Sequence, residues 1–350
     1  MAINLKNSVV ILGAGASKGA LVSGGRTPPL DAEFLAAAAD LFRSKRARGK
    51  NRAMVVSWNS FKRHLAGAGL KFREVKGWRL EQLSTFLEAR ANLRGLQLGR
   101  GQPRDYAQAL EALKIMVCHV LNASGGTRNC SLHEMLFKSI FPKAVISFNY
   151  DLIADQSLLE LEFLNWRSAE YRCARHVGVP LDRGRTAFKP ITSRIIENDV
   201  PLIKLHGSIH YERLRRGSGF RLSGIALPEG GHKRFEFSRV PKRPYLIPPV
   251  AAKIEIKQKA LRERWYSAVD HLYQANSWLI WGYSFPQTYT IAHVLFRTAL
   301  ARNRKSKRVV VIDPDMSVAE RVREICQKVN VHQYPSMERF LLDQGAIPAF

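Results

Sequence analysis

The fold class is decided by the stretch VVILGAGAS, which runs from Val9 to Ser17. Four apolar residues predict a buried strand, and the alternating glycines and small residues that follow predict a tight strand-to-helix turn. Such a turn brings backbone N–H groups close to the pyrophosphate of a dinucleotide, because glycine lacks a Cβ atom. The usual fingerprint has a third glycine where this chain has Lys18, so a turn without a ligand is the alternative interpretation.

The length and composition suit a large globular protein. The chain has 350 residues, 46% of them hydrophobic, enough for one large α/β domain with an insertion or for two modest domains. We predict a single domain over residues 1–350, with a helical insertion at 31–141 and an irregular basic loop or small module at 211–250. No apolar run approaches the roughly 20 residues that span a bilayer, and no signal peptide is visible. We therefore expect a cytoplasmic protein without membrane contact.

The formal net charge is +26, from 55 lysine and arginine residues against 29 acidic ones. An excess of this size favours contact with a polyanion through phosphate neutralisation, so non-specific nucleic-acid contact is one expectation. The basic residues are dispersed in short runs at 43–52, 213–221, 233–243 and 302–308, without a nucleic-acid-binding motif. A basic surface that meets an acidic partner protein, or that only keeps the chain soluble, is the alternative.

The four cysteines, Cys118, Cys130, Cys173 and Cys326, are scattered and form no C-x-x-C pair. Their spacing argues against a zinc ribbon and against a disulfide framework. We expect each of them to be a small buried or half-buried thiol.

Short apolar runs alternate with helical stretches along the chain. This alternation is typical of a Rossmann-like α/β fold, in which helices cover both faces of a mostly parallel sheet. The predicted strands are Ser8–Leu12, Ala144–Phe148, Leu202–Leu205, Ser277–Trp281, Val309–Ile312 and Val331–Tyr334. The main predicted helices are Arg79–Leu93, Tyr106–Leu121, Leu152–Leu164, Ala251–Gln274, Thr288–Ala301 and Ser317–Val329.

Polar side chains follow the second predicted strand in the stretch VISFNYD, Val145–Asp151. Asn149 and Asp151 come at its carboxyl end, where open α/β sheets bind ligands. An asparagine can hold a ribose hydroxyl, a carboxamide or an attacking water without adding charge. The alternative is that Asp151 caps the following helix.

A histidine ends the third predicted strand in the stretch LIKLHGS, Leu202–Ser208. Because imidazole titrates near neutral pH, His206 can act as a general base that activates a water or a hydroxyl group. A purely structural histidine is the alternative, and the nearby His210 is a weaker candidate for the same role.

The last two predicted site motifs lie in the carboxyl-terminal third of the chain. LIWGYSFP, Leu279–Pro286, ends a strand in a glycine turn, Gly282, followed by the hydroxyl of Ser284. VVVIDPD, Val309–Asp315, places Asp313 at another strand end, where a carboxylate commonly accepts hydrogen bonds from ribose. The alternative for Asp313 is a helix cap or a turn.

In this order and placement, the five motifs resemble the sirtuin-like superfamily, and more closely its bacterial NAD-hydrolysing branch from antiphage defence systems. The resemblance extends from Val9 to Pro314 as spaced motifs. It implies NAD as the substrate, no metal, and catalytic roles for Asn149 and His206. It further implies that the dinucleotide is held by Gly13, Ala14, Gly15, Ser17, Asp151, Gly282, Ser284 and Asp313.

The chain also departs from the deacylases of this superfamily. Deacylases follow the glycine turn with Gly-Ile-Pro-Asp-Phe-Arg, whereas this chain has GGRTPPL at Gly24–Leu30. They also carry a four-cysteine zinc module after the catalytic histidine, and here no cysteine lies between Cys173 and Cys326. Both departures favour an NAD hydrolase over a protein deacetylase.

The resemblance also implies partners. A homo-oligomer is expected, together with a companion ATPase or helicase or a separate trigger-sensing chain. Two alternatives to the hydrolase stay open, a catalytically silent module that binds NAD or ADP-ribose and a nucleic-acid-associated defence subunit. A Rossmann dehydrogenase is disfavoured because the third glycine is missing.

Overall fold

The computed structural model describes residues 5, 7–20, 27–43, 52–92, 102–128, 130–161, 200–214, 220–223, 225–226, 236–237, 239–248, 259–301, 307–327 and 329–347. The strands in this part of the chain are β1 Ser8–Leu12, β2 Ala144–Ser147, β3 Leu202–Lys204, β4 Gly207–Arg213, β5 Phe220–Leu222, β6 Ile225–Ala226, β7 Glu236–Phe237, β8 Pro244–Leu246, β9 Ser277–Trp281, β10 Lys307–Ile312 and β11 Val329–Tyr334. The α-helices are α1 Ala14–Lys18, α2 Phe34–Arg43, α3 Arg52–Gly67, α4 Phe72–Val75, α5 Leu80–Asn92, α6 Pro103–Ala123, α7 Ser131–Ile140, α8 Ile153–Glu160, α9 Lys259–Gln274, α10 Thr290–Ala301, α11 Ser317–Ile325 and α12 Met337–Asp343, and a short 3-10 helix spans Asp31–Glu33.

Six strands form one parallel sheet in the order β11-β10-β9-β1-β2-β3. From β1 the chain proceeds to one edge through β2 and β3, and then returns to the other side of β1 through β9, β10 and β11. This is the strand order of a doubly wound sheet, and its switch point lies between β1 and β9. The predicted Rossmann-like parallel sheet is confirmed.

Helices cover both faces of this sheet because successive residues of a buried strand point to opposite sides. Val10 and Leu12 belong to one apolar cluster, with α7, α8 and α12. Val9 and Ile11 belong to the other, with α9, α10 and α11. All five residues of β1 are buried, as the unbroken apolar run predicts.

The helices from α2 to α6 come between β1 and β2 in the chain, and they form a layer of their own. Apolar residues of α2, α3, α5 and α6 share one cluster, which also takes in Leu152, Ile209 and Leu246 from the region after β2. The next helix, α7, lies inside the predicted insertion 31–141, but its apolar face packs on the sheet. The helical layer therefore closes over the segments that follow β2 and β3.

Two small antiparallel sheets follow β3. One has the order β5-β4-β8, and the other pairs β6 with β7. Residues 211–250 were predicted to be an irregular loop or a small β excursion, and the described part of this segment contains these short strands. Much of the segment, including 227–235, lies outside the described residues.

Several helix and strand boundaries differ from the predictions by a few residues, and two of these differences have a clear physical reason. The helix predicted over Ser317–Val329 ends at Ile325, because Val329 begins β11 and pairs with Lys307 of β10. β10 itself begins at Lys307, earlier than predicted. The lysine ammonium donates to the Tyr273 carbonyl at 2.9 Å and to the Ala275 carbonyl, so a charged residue is accommodated at the start of a buried strand.

Among the described helices, none is long and apolar enough to cross a bilayer.

Candidate functional site

The five predicted motifs lie at one edge of the main sheet. Leu12 is in register with Ser147 of β2 and with Trp281 of β9, while Ser147 pairs with Lys204 of β3 and Trp281 with Ile312 of β10. The five strands therefore end level with one another. The polar residues that follow them line the carboxyl edge next to the switch point.

The glycine turn after β1 packs directly against the turn after β9. The Gly13 N–H donates to the Trp281 carbonyl at 3.0 Å, and the Gly15 N–H donates to the Gly282 carbonyl at 2.9 Å. Gly282 has φ +62°, and a Cβ atom there would overlap the Ala16 backbone nitrogen. We call Gly13, Gly15 and Gly282 the turn pair. The close contact between the two turns requires glycine at these positions, so the glycines are explained without a bound ligand.

Asn149 faces this turn from the end of β2. Its Nδ2 donates to the Gly13 carbonyl at 2.8 Å and to Ser17 Oγ at 2.9 Å. A carbonyl only accepts hydrogen bonds, so the amide orientation is fixed by this contact. Asn149 Oδ1 accepts no hydrogen bond from the described residues, although the side chain is only 8% exposed. It is therefore an acceptor available to a water or a hydroxyl group.

Asp151 is buried, and both of its carboxylate oxygens accept hydrogen bonds. Oδ2 accepts the Ser17 hydroxyl at 2.6 Å, and Oδ1 accepts the Ile153 N–H at 3.1 Å, in the first turn of α8. Burial raises the pKa of Asp151, opposed by the Lys204 charge and by these hydrogen bonds. The helix-capping alternative thus has a geometric basis, and contact with nicotinamide stays a prediction.

A buried ion pair that was not predicted from the sequence lies beside Asp151. Lys204 Nζ lies 2.8 Å from Asp155 Oδ2, with both side chains 1% exposed, and it also donates to the Asp151 carbonyl. This pair ties β3 to the segment after β2. The signal was a lysine inside the apolar run LIKL, since a charge in a buried strand requires a partner.

His206 is also buried, at 7% exposed. Its Nε2 lies 2.7 Å from the hydroxyl oxygen of Tyr289, which sequence reasoning missed. The next residue, Gly207, has φ +81°, and a Cβ atom there would overlap the Tyr245 carbonyl. Glycine therefore permits the sharp turn from β3 into β4, as the HGS motif predicted.

Aromatic rings enclose the His206 imidazole. The ring centroids of Phe148 and Tyr289 each lie 5.3 Å from it, and that of Tyr150 lies 5.9 Å away. Phe148 in turn stacks on Tyr283 at 4.1 Å. Because Phe148 directly precedes Asn149, its contact with His206 brings the ends of β2 and β3 together. We call Asn149, Asp151, Lys204 and His206 the polar edge.

Ser284 and Asp313 lie on the β9 and β10 side of the switch point. The Ser284 side chain is exposed, and its carbonyl accepts a hydrogen bond from Arg321 Nε at 2.9 Å. Asp313 is half-buried, which raises its pKa, and its Oδ1 accepts the Asp315 N–H at 2.9 Å. Asp315, rather than Asp313, holds the first turn of α11 through the Ser317 N–H at 2.9 Å. Asp313 is thus available for the ribose contact predicted for it, which stays a prediction.

No three histidine, cysteine or acidic side chains of the described residues are grouped so as to hold a metal ion. Cys118, Cys130 and Cys326 are buried free thiols, as predicted, and Cys173 lies outside the described residues. Ala14 is exposed beside the turn pair. Phosphate contact by Gly13, Ala14, Gly15 and Ser17 stays a prediction.

No family model and no curated protein matches the chain. Similar solved structures include a Sir2 homologue in complex with NAD, at 11% identity and a TM-score of 0.35, covering 76% of this chain and 84% of that one. Another comes from work on the mechanism and regulation of Sir2 enzymes, at 10% identity and a TM-score of 0.35, covering 69% of this chain and 81% of that one. The strand order defines this chain as a doubly wound α/β protein with polar residues at the switch-point edge.

Proposed function

We propose that this protein is an NAD glycohydrolase. The reaction cleaves the bond between nicotinamide and ribose C1′, so that NAD and water give nicotinamide, ADP-ribose and a proton. The observation that carries the proposal is the placement of Asn149 and His206 at the ends of adjacent strands, on the same carboxyl edge of the sheet as the switch point. Ligands of doubly wound sheets bind at this point.

The chemistry requires little more than orientation and one activated water. Nicotinamide leaves as a neutral molecule from a cationic ring, so the transition state has oxocarbenium character. Asn149 Oδ1 orients the water or a ribose hydroxyl, and His206 accepts its proton. Asp151, two residues after Asn149, anchors the nicotinamide end of the dinucleotide.

The rest of the dinucleotide extends along the sheet edge. The phosphates lie against the turn formed by Gly13, Ala14, Gly15 and Ser17. The adenosine half lies toward β9 and β10, where Gly282, Ser284 and Asp313 stand. This arrangement needs no metal ion.

The direct test follows nicotinamide by chromatography after the purified full chain is incubated with NAD, with and without candidate partners. We expect His206→Ala and Asn149→Ala to lose nicotinamide release by 100-fold or more, as is typical when a general base or a positioning group is removed (roughly 10² to 10⁴). His332→Ala, on the opposite edge strand β11, is the matched control and should stay active. Normal turnover in either site variant would contradict the assignment.

The second candidate function is a catalytically silent module that binds NAD or ADP-ribose. The aromatic packing around His206, with Nε2 already bonded to Tyr289, favours it. Calorimetry with ADP-ribose separates the two functions, because tight binding without nicotinamide release under any condition supports the silent module.

We also propose a biological setting for the hydrolase. An unregulated NAD hydrolase would kill its host, so the activity must be gated. We propose an antiphage effector that depletes NAD when activated, working as a homo-oligomer with a companion ATPase or helicase or a trigger-sensing protein. The basic segment 211–250 is its proposed docking surface, and trimming this segment outside the buried strands β4 and β8 should change activation or assembly while leaving the intrinsic chemistry intact. If trimming only unfolds the protein, this proposal fails.

The charge of +26 keeps a nucleic-acid-associated subunit as an alternative setting. Neutralisation of phosphates releases counterions, so electrostatic binding to nucleic acid weakens steeply as salt is added. A DNA or RNA affinity that does not change between low and physiological salt would rule out this alternative.

A further inference from the structure

We propose that Tyr289 is a positioning residue for His206, and that the helical layer holds Tyr289 in place through the contact between Thr288 and Glu81. The proposal rests on the proposed function, since it concerns how the catalytic histidine of that site is oriented. It gives the helical layer a role in catalysis, through one hydrogen bond to the loop that carries Tyr289.

The first contact fixes the imidazole. Tyr289 Oη lies 2.7 Å from His206 Nε2, and the two rings meet edge to face, with an interplanar angle of 74°. The hydrogen bond made by one ring nitrogen of a histidine decides which nitrogen carries the proton. Tyr289 therefore fixes the orientation of the ring by holding Nε2.

The phenol stays protonated in this setting. Burial raises the pKa of Tyr289 well above its ordinary value, and the neighbouring Tyr283, Tyr150 and Glu81 raise it further. Tyr289 is 6% exposed. A neutral hydroxyl can donate to an imidazole lone pair or accept from an imidazole N–H, so it supports a neutral histidine base without adding charge.

The second contact fixes the loop that carries Tyr289. The Tyr289 N–H donates to the Pro286 carbonyl at 3.0 Å, which closes a turn just before α10. Thr288 Oγ1 donates to Glu81 Oε1 at 2.8 Å. Glu81 lies in the first turn of α5, and its own N–H donates to Asp31 Oδ1 at 2.8 Å.

These contacts make a continuous path from the helical layer to the histidine. The Thr288–Glu81 bond is exposed, so it adds little to the free energy of unfolding. Its effect is to restrict the loop, and a misplaced base costs rate even when the fold is unchanged. A signal for this role was absent from the sequence, because Glu81 and Tyr289 are separated by more than 200 residues.

The test uses the full-length chain with Tyr289→Phe, which keeps the ring and removes only the hydroxyl. We expect kcat for nicotinamide release to fall about 10- to 100-fold while KM for NAD changes less than about twofold. In ¹⁵N-histidine spectra, with His206 assigned by its absence in His206→Ala, the imidazole resonances of His206 should move because Nε2 loses its hydrogen bond to Tyr289. Tyr266→Phe, on the exposed face of α9, is the matched control and should change neither quantity.

The second contact is tested by a pair of variants at one position. Glu81→Gln keeps an oxygen that accepts from Thr288, so it should keep wild-type kcat. Glu81→Ala removes the acceptor and should lower kcat about threefold in the same direction as Tyr289→Phe. Equal kcat in the alanine and glutamine variants would overturn the role of Glu81.

An unchanged kcat with unmoved His206 resonances in Tyr289→Phe would overturn the proposal. An increase in kcat would overturn it too, since Tyr289 would then block the base. If the wild-type chain releases no nicotinamide, the hydrolase itself fails, and the resonances still decide whether Tyr289 sets the state of His206. The two failures are therefore distinguishable.

Discussion

The turn pair and the polar edge lie side by side at the carboxyl edge of one sheet, but they are stabilised in opposite ways. In the turn pair, backbone meets backbone, and the N–H groups of Gly13 and Gly15 are bonded to the β9 turn. In the polar edge, side chains bond to the side chains of Ser17, Asp155 and Tyr289, and Asn149 keeps one acceptor without a partner among the described residues. The motif most typical of nucleotide binding is thus the one whose polar groups are more fully paired within the protein.

The largest expected effect comes from breaking the polar edge at its ion pair. Lys204→Met leaves the Asp155 carboxylate buried without its cation, so we expect the free energy of unfolding to fall by about 4 kcal/mol. Urea denaturation measures it. The double variant Lys204→Met with Asp155→Leu should recover part of this loss, because the Asp155 charge is then gone, whereas the buried Asp151 still lacks the Lys204 charge.

Lys114→Met is the matched control for that substitution. Lys114 is 3% exposed and lies 2.9 Å from Glu111, whose side chain is 47% exposed and stays hydrated when the lysine is removed. Its loss of stability should be clearly smaller than that of Lys204→Met. Equal losses would mean that the buried pair is not what stabilises the polar edge.

The second effect comes from breaking the turn pair. Gly282→Ala places a Cβ atom into the Ala16 backbone at a positive φ, so we expect a loss of about 3 kcal/mol in the free energy of unfolding. Gly345→Ala is the control, because Gly345 has φ +69° and open space around its Cα. It should lose only about 1 kcal/mol, from the backbone conformation alone. The difference between the two variants measures the contact between the turns.

The third effect is on the pH dependence of the free energy of unfolding, which differs between the two regions. His133 packs on Trp281, and its two ring nitrogens have no hydrogen-bond partner in the part of the chain that the structure describes. Burial lowers the pKa of His133 to about 3, so protonation favours the unfolded chain and stability falls as pH drops below the ordinary value of 6.5. Between pH 7 and pH 5 we expect His133 to contribute a loss of about 2 kcal/mol, so the fall in stability should be smaller by that amount in His133→Leu. A loss remains in that variant because burial also lowers the pKa of His119, to about 4.

Asp151, in the polar edge, acts in the opposite direction. Its pKa is raised in the folded protein, so the unfavourable contribution of its charge is present at high pH and is relieved as pH falls through the folded pKa. The loss of stability in acid should therefore follow the protonation of His133 and not that of Asp151. A pH profile of stability that is identical in the wild type and in His133→Leu would show that this histidine does not cause the acid sensitivity.

The smallest effect comes from the hydroxyl that joins the two regions. Ser17 accepts from Asn149 and donates to Asp151, so Ser17→Ala should lower the free energy of unfolding by about 1 kcal/mol and reduce nicotinamide release. Ser139→Ala, which removes a hydroxyl bonded to a carbonyl in α7, is the control and should leave release unchanged. A loss of stability with full activity would show that Ser17 only supports the fold.

Much of the fold could be predicted because burial leaves a local trace. The strand Ser277–Trp281 has the predicted bounds, since its apolar run is flanked by polar and glycine residues. The helix predicted to end at Val329 was too long, because a valine fits the start of a strand that pairs with β10 as well as it fits the buried face of a helix. Local patterns report that a residue is buried, but they do not report its partner.

The sequence by itself determined the parallel sheet and the strand ends at which Asn149, His206 and Asp313 stand, because apolar runs and the residues that stop them are local properties of the chain. Tertiary structure alone decided that Gly282 meets the glycine turn, that Lys204 pairs with Asp155, and that Tyr289 bonds His206. These contacts join residues that are 49 and 83 positions apart, or farther. Hydrogen bonds over such separations depend on how the layers pack, which no local pattern encodes.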